Sequence, residues 1–360
     1  MLCDHSSHRH SRHCIVPPHI EMQLTKSSNQ AVRTRAIANL KASAVMRTMR
    51  AMSQAMPTLM VSAAPAKQKH RLVYTGPSIN QLPGKLARSE GQPKVSDTAV
   101  NEAYDHSGHT YDFYDQLFGR NSLDHNGMTI VSSVHVWEPD GAGGKGALNN
   151  AFWNGEQMAY GDGDGVVFQP FTRSLDVVGH ELTHGVESFT SNLEYRGQSG
   201  ALNEHFADVF GVLVRQWKNG ETALKANWLV GADVLVPAPT RRAIRDMENP
   251  GTAFVADPDL GSDPQPGHMK NIFTGASDNG GVHINSGIPN RAFVLVAKAL
   301  KGNAWDAAGH IWFETLLNLN STSQLIDCAK TSVSVASQAT YGAAAKKAVR
   351  SAWKAVGISV

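Results

Sequence analysis

The chain has 360 residues, 41% of them hydrophobic, and a formal net charge of +2. That length supports two core-bearing lobes plus an accessory segment. No apolar run reaches the roughly 18 residues of a membrane span, so small a net charge argues against a general nucleic-acid binder, and Cys3, Cys14 and Cys328 are too few and too scattered for a disulfide framework.

The first fourteen residues, MLCDHSSHRHSRHC, are polar and lack the apolar stretch of a secretory signal. The expectation is a protein that stays in the cytoplasm or is exported without such a signal, with extracellular action left open. Charge is uneven along the chain. Residues 1–60 carry eight Lys or Arg against Asp4 and Glu21, a balance of +6, and the remainder carries −4. Opposite signs on two parts of one chain suggest that they dock. Within 31–52, Val32, Ala36, Leu40 and Ala44 recur at helical spacing with basic residues between them. The stretch 56–70 is small, Pro-containing and aperiodic, which reads as a linker. An Arg-rich, acid-poor start also fits an organelle transit peptide. The five His among residues 5–19 read as a solvated tail rather than a metal site.

From about 72 to 175, short β-rich runs such as MTIVSSVHVW (128–137) alternate with Gly-rich turns such as GDGDG (161–165), with a helix expected near 98–118. After 175 the spacing is helical: Phe206, Phe210, Leu213 and Trp217 recur every three or four residues, as do Ala345, Val349, Ala352 and Val356. The expected fold class is α+β, a β-rich lobe followed by a helical lobe with a cleft between them. The divisions drawn are a segment and linker start over 1–60, a β-rich lobe over 72–187, and a helical lobe over 188–360.

The densest chemistry is His180-Glu181-Leu182-Thr183-His184. On a helix, residues four apart share a face, so both imidazoles reach one ion. Glu181, about a quarter turn away, reaches water bound to the ion rather than the ion itself. Catalytic zinc needs a third protein ligand and an open fourth position. Twenty residues on, GALNEHFAD (200–208) offers Glu204 at the expected start of the Phe206–Trp217 helix. Asp208, one turn further on the same face, is placed to accept the free N–H of a ligating imidazole. Read alone, an Asn-Glu pair opening a helix is a cap; after HELTH at this spacing it is a ligand.

HELTH and GALNEHFAD, with NNAFWNGEQMAYGDGDG (149–165) and DNGGVHINSGIPNRAF (278–293), resemble the thermolysin family over about 85–360. The resemblance implies a zinc endopeptidase with His180, His184 and Glu204 as ligands and Glu181 as general base. It implies Asp208 and Asn203 as partners of the two histidines. His283 and Tyr195 would donate to the oxyanion, with Asp278 orienting His283. Asn150 and the backbone of Ala151 would pair with extended substrate, and Arg245 would grip a substrate carbonyl beyond the scissile bond. The pocket for the residue after the cut would be Phe168, Phe171, Val177, Val230 and Ile244, all apolar. Secreted members bind paired calcium ions, but the matching positions here are Asp176, Arg215, Asn227, Leu229 and Ala232. A cationic Arg215 opposes calcium, so Arg215 is expected to pair with Asp176 and the double site to be lost.

CIVPPHI (14–20) followed by a basic helix is similar to the short prosegment of the protealysin-like branch, although Glu21 and Met22, not Leu, follow Ile20. Residues 1–60 would then be an inhibitory prosegment acting on the same chain, with peptides and proteins as the other partners. Pro17, Pro18, Ile20 and an apolar helix face would cover the cleft. Cys14 either supplies a sulfur at zinc's open position or packs near the prolines. Cleavage is expected in the 54–70 linker, before Leu59, Met60 or Val61. A catalytically silent zinc-binding or regulatory protein that keeps the fold is the other reading, and it would be expected to lose Glu181 or His283 early.

Overall fold

The computed structural model describes residues 13–40, 67–139 and 144–360. The expected cleavage positions, Ala44 and the His-rich residues before 13 lie outside the described residues.

A six-stranded mixed sheet forms the first layer. β2 (Arg71–Thr75) runs antiparallel to β3 (Lys85–Ser89) and parallel to β4 (Ile130–Val134). β4 is parallel to β8 (Met158–Tyr160), and β8 is antiparallel to β7 (Ala151–Trp153). The edge beyond β7 is taken by β1 (His13–Cys14), from the other end of the chain, pairing antiparallel with Cys14 opposite Phe152. The run 128–137, read as one strand, is two. His135 takes a left-handed φ of 54° between β4 and β5 (Trp137–Pro139), its two ring nitrogens held by Asp162 and Asp97. β5 pairs with β6 (Lys145–Ala147).

The N-terminal segment continues from β1 into α1 (Pro18–Leu24), where Pro18 suits the first helical position because it has no N–H to leave unpaired. Helix α2 is described over 30–40, and its Val32 and Ala36 are buried, the face the sequence marks as apolar. Hydrogen bonds tie this segment to the body: Ser27 to Asp259 (2.7 Å), Arg35 to the Asp164 carbonyl (3.2 Å), and Asn150 to Glu21 (3.2 Å).

Helix α3 (Thr98–Phe118) is capped by Asp97, which accepts from the Val100 N–H, and ends at left-handed Gly119. It packs across the sheet and against α4 (Leu175–Ser188), whose residues are nearly all buried. Its Asp176, His180, Glu181, His184 and Glu187 are buried with its apolar residues, so each of these polar groups must find a partner inside the protein. The densest contact in the molecule is α4 against α5 (Gly197–Asn219). α5 begins seven residues before Glu204, which therefore sits in the helix interior and not at its start as expected. Gly200, inside the helix, has no room for a side chain, since a Cβ there would stand 2.9 Å from the Tyr195 backbone. The remaining helices, α6 (Ser277–Asn285), α7 (Gly287–Leu300), α8 (Ala307–Leu317), α9 (Leu325–Val335) and α10 (Gly342–Ala355), complete the second lobe. Its centre is Trp312, stacked on Trp353 with ring centroids 6.3 Å apart and donating to His205 at 2.7 Å. Among the described residues no helix is long and apolar enough to cross a membrane.

Where α4 crosses α5, Gly179 faces Gly211. A Cβ on Gly211 would lie 2.4 Å from the Asp176 carbonyl oxygen and 2.8 Å from the His180 amide nitrogen. Backbone atoms cannot give way, so Gly211→Ala must push the helices apart. We expect it to lower stability by about 1–3 kcal/mol and to weaken zinc binding with it, measured by denaturant unfolding and metal titration. Unchanged values in both would show that the crossing has slack.

Candidate metal centre and cleft

α4 presents His180 and His184 one turn apart, and α5 presents Glu204 opposite them. All three side chains are wholly buried. The Nε2 atoms of the two histidines are 3.1 Å apart, and each lies 3.6 Å from one oxygen of Glu204. Zinc with bonds of 2.0–2.1 Å sets tetrahedral donors about 3.3 Å apart. Among the described His, Cys, Asp and Glu side chains, these three are the group whose ligand atoms converge within 4.8 Å. Glu204 Oε2 is buried without a hydrogen-bond partner, an acceptor that a bound cation would satisfy. Two imidazoles and a carboxylate fit zinc, and these residues would hold it.

The other nitrogen of each imidazole meets a buried carboxylate. His180 Nδ1 lies 2.9 Å from Asp208 Oδ1, the expected partner. His184 Nδ1 lies 3.0 Å from Glu187 Oε2, not against Asn203. The buried Asn203 Oδ1 has no hydrogen-bond partner. The correction has a simple cause: Glu187 is three residues beyond His184 on the same helix face, and a carboxylate is the stronger acceptor. That spacing was visible in HELTHGVE. Burial pushes the Glu187 carboxyl up, and nearby Glu204 and Asp208 push it further.

Asp208 also receives Arg245, on β10 (Arg245–Asp246), whose Nε and Nη2 lie 2.8–3.1 Å from its two oxygens. Burial opposes the Asp208 charge, but Arg245 and His180 hold it well below the usual carboxylate range. β10 pairs with β9 (Leu229–Val230), bringing Val230 and Ile244 into the core cluster with Phe168, Phe171 and Val177. Each of the five is at most 1% exposed.

His283 stands across the cleft. Its Nδ1 is 2.6 Å from Asp278 Oδ1, and its Nε2 is 3.0 Å from the Tyr195 hydroxyl and 3.4 Å from Glu204 Oε1. Tyr195 also donates to Glu204. Asp278 reaches back because residues 278–281 all take left-handed backbone angles before α6 becomes regular, a local strain typical of working sites. Burial pulls the His283 pKa down, yet Glu204 and Asp278 raise it to about 9. Glu181 sits on the sheet side of α4, its Oε2 accepting from the Trp153 N–H at 2.8 Å.

The cleft holds a peptide already: the chain's own residues 14–16. The Ile15 N–H donates to the Ala151 carbonyl (3.3 Å) and the Val16 N–H to Asn150 Oδ1 (3.1 Å). Arg245 Nη1 donates to the Ile15 carbonyl (3.0 Å), and His283 Nε2 is 3.1 Å from the Cys14 carbonyl. Ile15 is fully buried in the same apolar cluster as the five pocket residues. Pro17 and Ile20 are buried behind it, and Pro18 is half-buried. Cys14 meets His283 through its carbonyl. Its side chain packs with Ile79, Val136, Leu148 and Phe152 in a separate cluster and does not join the three metal donors.

At the far side of α4, Arg215 pairs with Asp176 and donates to the carbonyls of Leu229 (2.9 Å) and Asn227 (2.6 Å). Ser174 and the Gly231 N–H take the remaining capacity of Asp176.

Residues 47–188 match the family model described as thermolysin metallopeptidase, catalytic domain, and residues 191–358 match thermolysin metallopeptidase, alpha-helical domain. The chain is 50% identical over 252 residues to an "Extracellular metalloprotease" of Pectobacterium carotovorum subsp. carotovorum, covering 70% of each. It is 46% identical over 295 residues to "Protease PrtS" of Photorhabdus sp. (strain Az29), covering 81% of this chain and 77% of that one. The fold is similar to the precursor of protealysin, a metalloproteinase from Serratia proteamaculans, with a TM-score of 0.85 and 41% identity, over 96% of this chain and 100% of that one.

If Glu187 orients His184, Glu187→Gln should weaken zinc binding about 10- to 100-fold, measured by competition with a chromogenic chelator on protein kept from self-digestion. Zinc affinity equal to wild type would leave Glu187 a packing residue only.

Proposed function

The chain belongs to the thermolysin metallopeptidase family, and we propose from that how its own residues carry out the reaction. It is a zinc metalloendopeptidase made as a latent precursor. The observation that carries the reading is the peptide in the cleft, residues 14–16 bonded to Ala151, Asn150, Arg245 and His283 beside His180, His184 and Glu204.

Zinc, when bound, polarises the peptide carbonyl and lowers the pKa of water. Glu181 accepts a proton from the attacking water and returns it to the leaving nitrogen. His283, oriented by Asp278, and Tyr195 donate to the oxygen that gains charge. Arg245, anchored by Asp208, aligns the carbonyl one residue beyond the cut. Asn150 and Ala151 hold substrate as an added strand on β7. Phe168, Phe171, Val177, Val230 and Ile244 select an apolar side chain after the cut, and the full burial of Ile15 in the same core cluster supports this. The set Glu181, Tyr195, Asp278 and His283 is complete, which speaks against a catalytically silent zinc-binding protein.

Residues 1–60 act as the prosegment, the intramolecular inhibitor, followed by the β-rich lobe to 187 and the helical lobe from 188. Extracellular action is the reading that the Pectobacterium relative's name supports.

The first test is Glu181→Gln, which should keep zinc content while lowering turnover at least ~10²-fold. Near-normal turnover would remove Glu181 from the base role, and loss of zinc would make it part of the metal site. The second concerns calcium, which needs six to eight oxygens, whereas Asp176 is already neutralised by Arg215. Calorimetry of the metal-free protein is expected to show no pair of calcium ions in this region, and two bound there would overturn the reading.

A further inference from the structure

Two consecutive carbonyls of the docked segment meet two different donors. The Cys14 carbonyl lies at His283 Nε2 (3.1 Å), which is itself 3.0 Å from the Tyr195 hydroxyl and 3.4 Å from a ligand oxygen of Glu204. The next carbonyl, of Ile15, lies at Arg245 (3.0 Å), and between them the Ile15 N–H points at Ala151 (3.3 Å). His13 and Cys14 pair antiparallel with β7, so the direction of the chain is set as well as its register. Among the described residues one peptide bond satisfies this pattern, with its carbonyl at the oxyanion donors and its nitrogen at Ala151. It is Cys14–Ile15, and Ile15 is itself fully buried in the apolar core that also holds Phe168, Phe171, Val177, Val230 and Ile244.

We propose that Cys14–Ile15 is a scissile bond of the protein's own prosegment, held in the precursor as bound substrate and cut by the same molecule. The inference rests on the endopeptidase reading and adds a self-processing site outside the linker. Water adds to the Cys14 carbonyl carbon, the C–N bond breaks, and one water proton passes to the Ile15 nitrogen. Cys14 is left as a carboxylate, and the Ile15 amine takes up a further proton from solvent. The new N-terminus stays docked. Asn150 and Arg245 still hold residues 15 and 16, Asp259 holds Ser27, and the Asp164 carbonyl holds Arg35. Among the described residues, the fragment ending at Cys14 keeps the β1 pairing and the His283 contact. The cut is therefore a nick within a docked inhibitor, distinct from its release.

The test follows the zinc-loaded full chain by intact mass and N-terminal sequencing over a hundredfold range of dilution. The expected product begins at Ile15, forms at a rate independent of concentration, and forms at least a hundredfold more slowly in Glu181→Gln. Ile15→Leu should be cut as wild type is, and Ile15→Asp should not. With Glu181→Gln as background and zinc removed, Ile15→Asp should also lower the melting temperature where Ile15→Leu does not, a readout independent of turnover. Linker-trimmed enzyme that hydrolyses an added peptide while Cys14–Ile15 stays intact in every precursor sample overturns this inference and leaves the endopeptidase standing. No hydrolysis of either bond or added peptide by zinc-loaded protein overturns both. A rate that rises with concentration, or a product that forms equally in Glu181→Gln, overturns the same-molecule cut.

Discussion

Asp208 has no solvent exposure, and its two oxygens serve His180, Arg245 and the Asn290 amide at 2.8–3.1 Å. A buried charge is tolerated only when its partners compensate it this fully. One side of the carboxylate sets the tautomer and tilt of a metal ligand. The other aims a guanidinium whose remaining nitrogen meets the carbonyl of a bound peptide. Metal and peptide are thus registered against the same buried group. Removing one partner of such a pair costs on the order of 3–5 kcal/mol, because the charge left behind has no water to turn to.

The electrostatics of the site are unbalanced in a way that suits a cation. Glu187, Glu204 and Asp208 lie buried within reach of one another, and burial together with Glu204 and Asp208 raises the Glu187 carboxyl. Arg245 answers Asp208, and His283 answers Asp278. Glu204 keeps its buried Oε2 without a hydrogen bond, 3.6 Å from His180 Nε2. The contrast lies at the other end of α4, where Arg215 reaches Asp176 and two carbonyl oxygens. There the chain supplies its own cation.

Latency uses the groups that catalysis uses. The segment over 14–16 is bound through backbone N–H and C=O groups, so the contacts do not depend on a special side chain. They depend on an extended strand entering the edge of the sheet in register. Behind it, Pro17, Ile20, Val32 and Ala36 bury apolar surface. Covalent attachment gives the segment a high effective concentration that a separate peptide must exceed. Attraction between the +6 and −4 parts of the chain adds little in comparison, since exposed ion pairs each contribute about 0–1 kcal/mol.

Much of the candidate metal centre was legible in residue order because a helix converts spacing into direction. HELTH puts two imidazoles on one face, and the carboxylates of NEHFAD sit one turn apart, so His180, His184, Glu204 and Asp208 were readable before any fold was known. The α3 boundaries and the apolar face of α2 followed from the same periodicity. Three things did not follow from spacing. The start of α5 is hidden because its apolar spacing begins only at Phe206, whereas Gly200, already in the helix, lets the Tyr195 backbone pass. For His184 the resemblance implies Asn203 and the sequence also offers Glu187 at i+3, and packing decides which acceptor reaches the ring. The role of Cys14 was left between sulfur and packing, and strand register decided it: opposite Phe152, its side chain lies in that residue's cluster and its carbonyl meets His283. Contacts within a helix are local and belong to the sequence. Contacts between residues 14 and 283 exist only once the edge strand, α4 and α6 have been packed around one cleft.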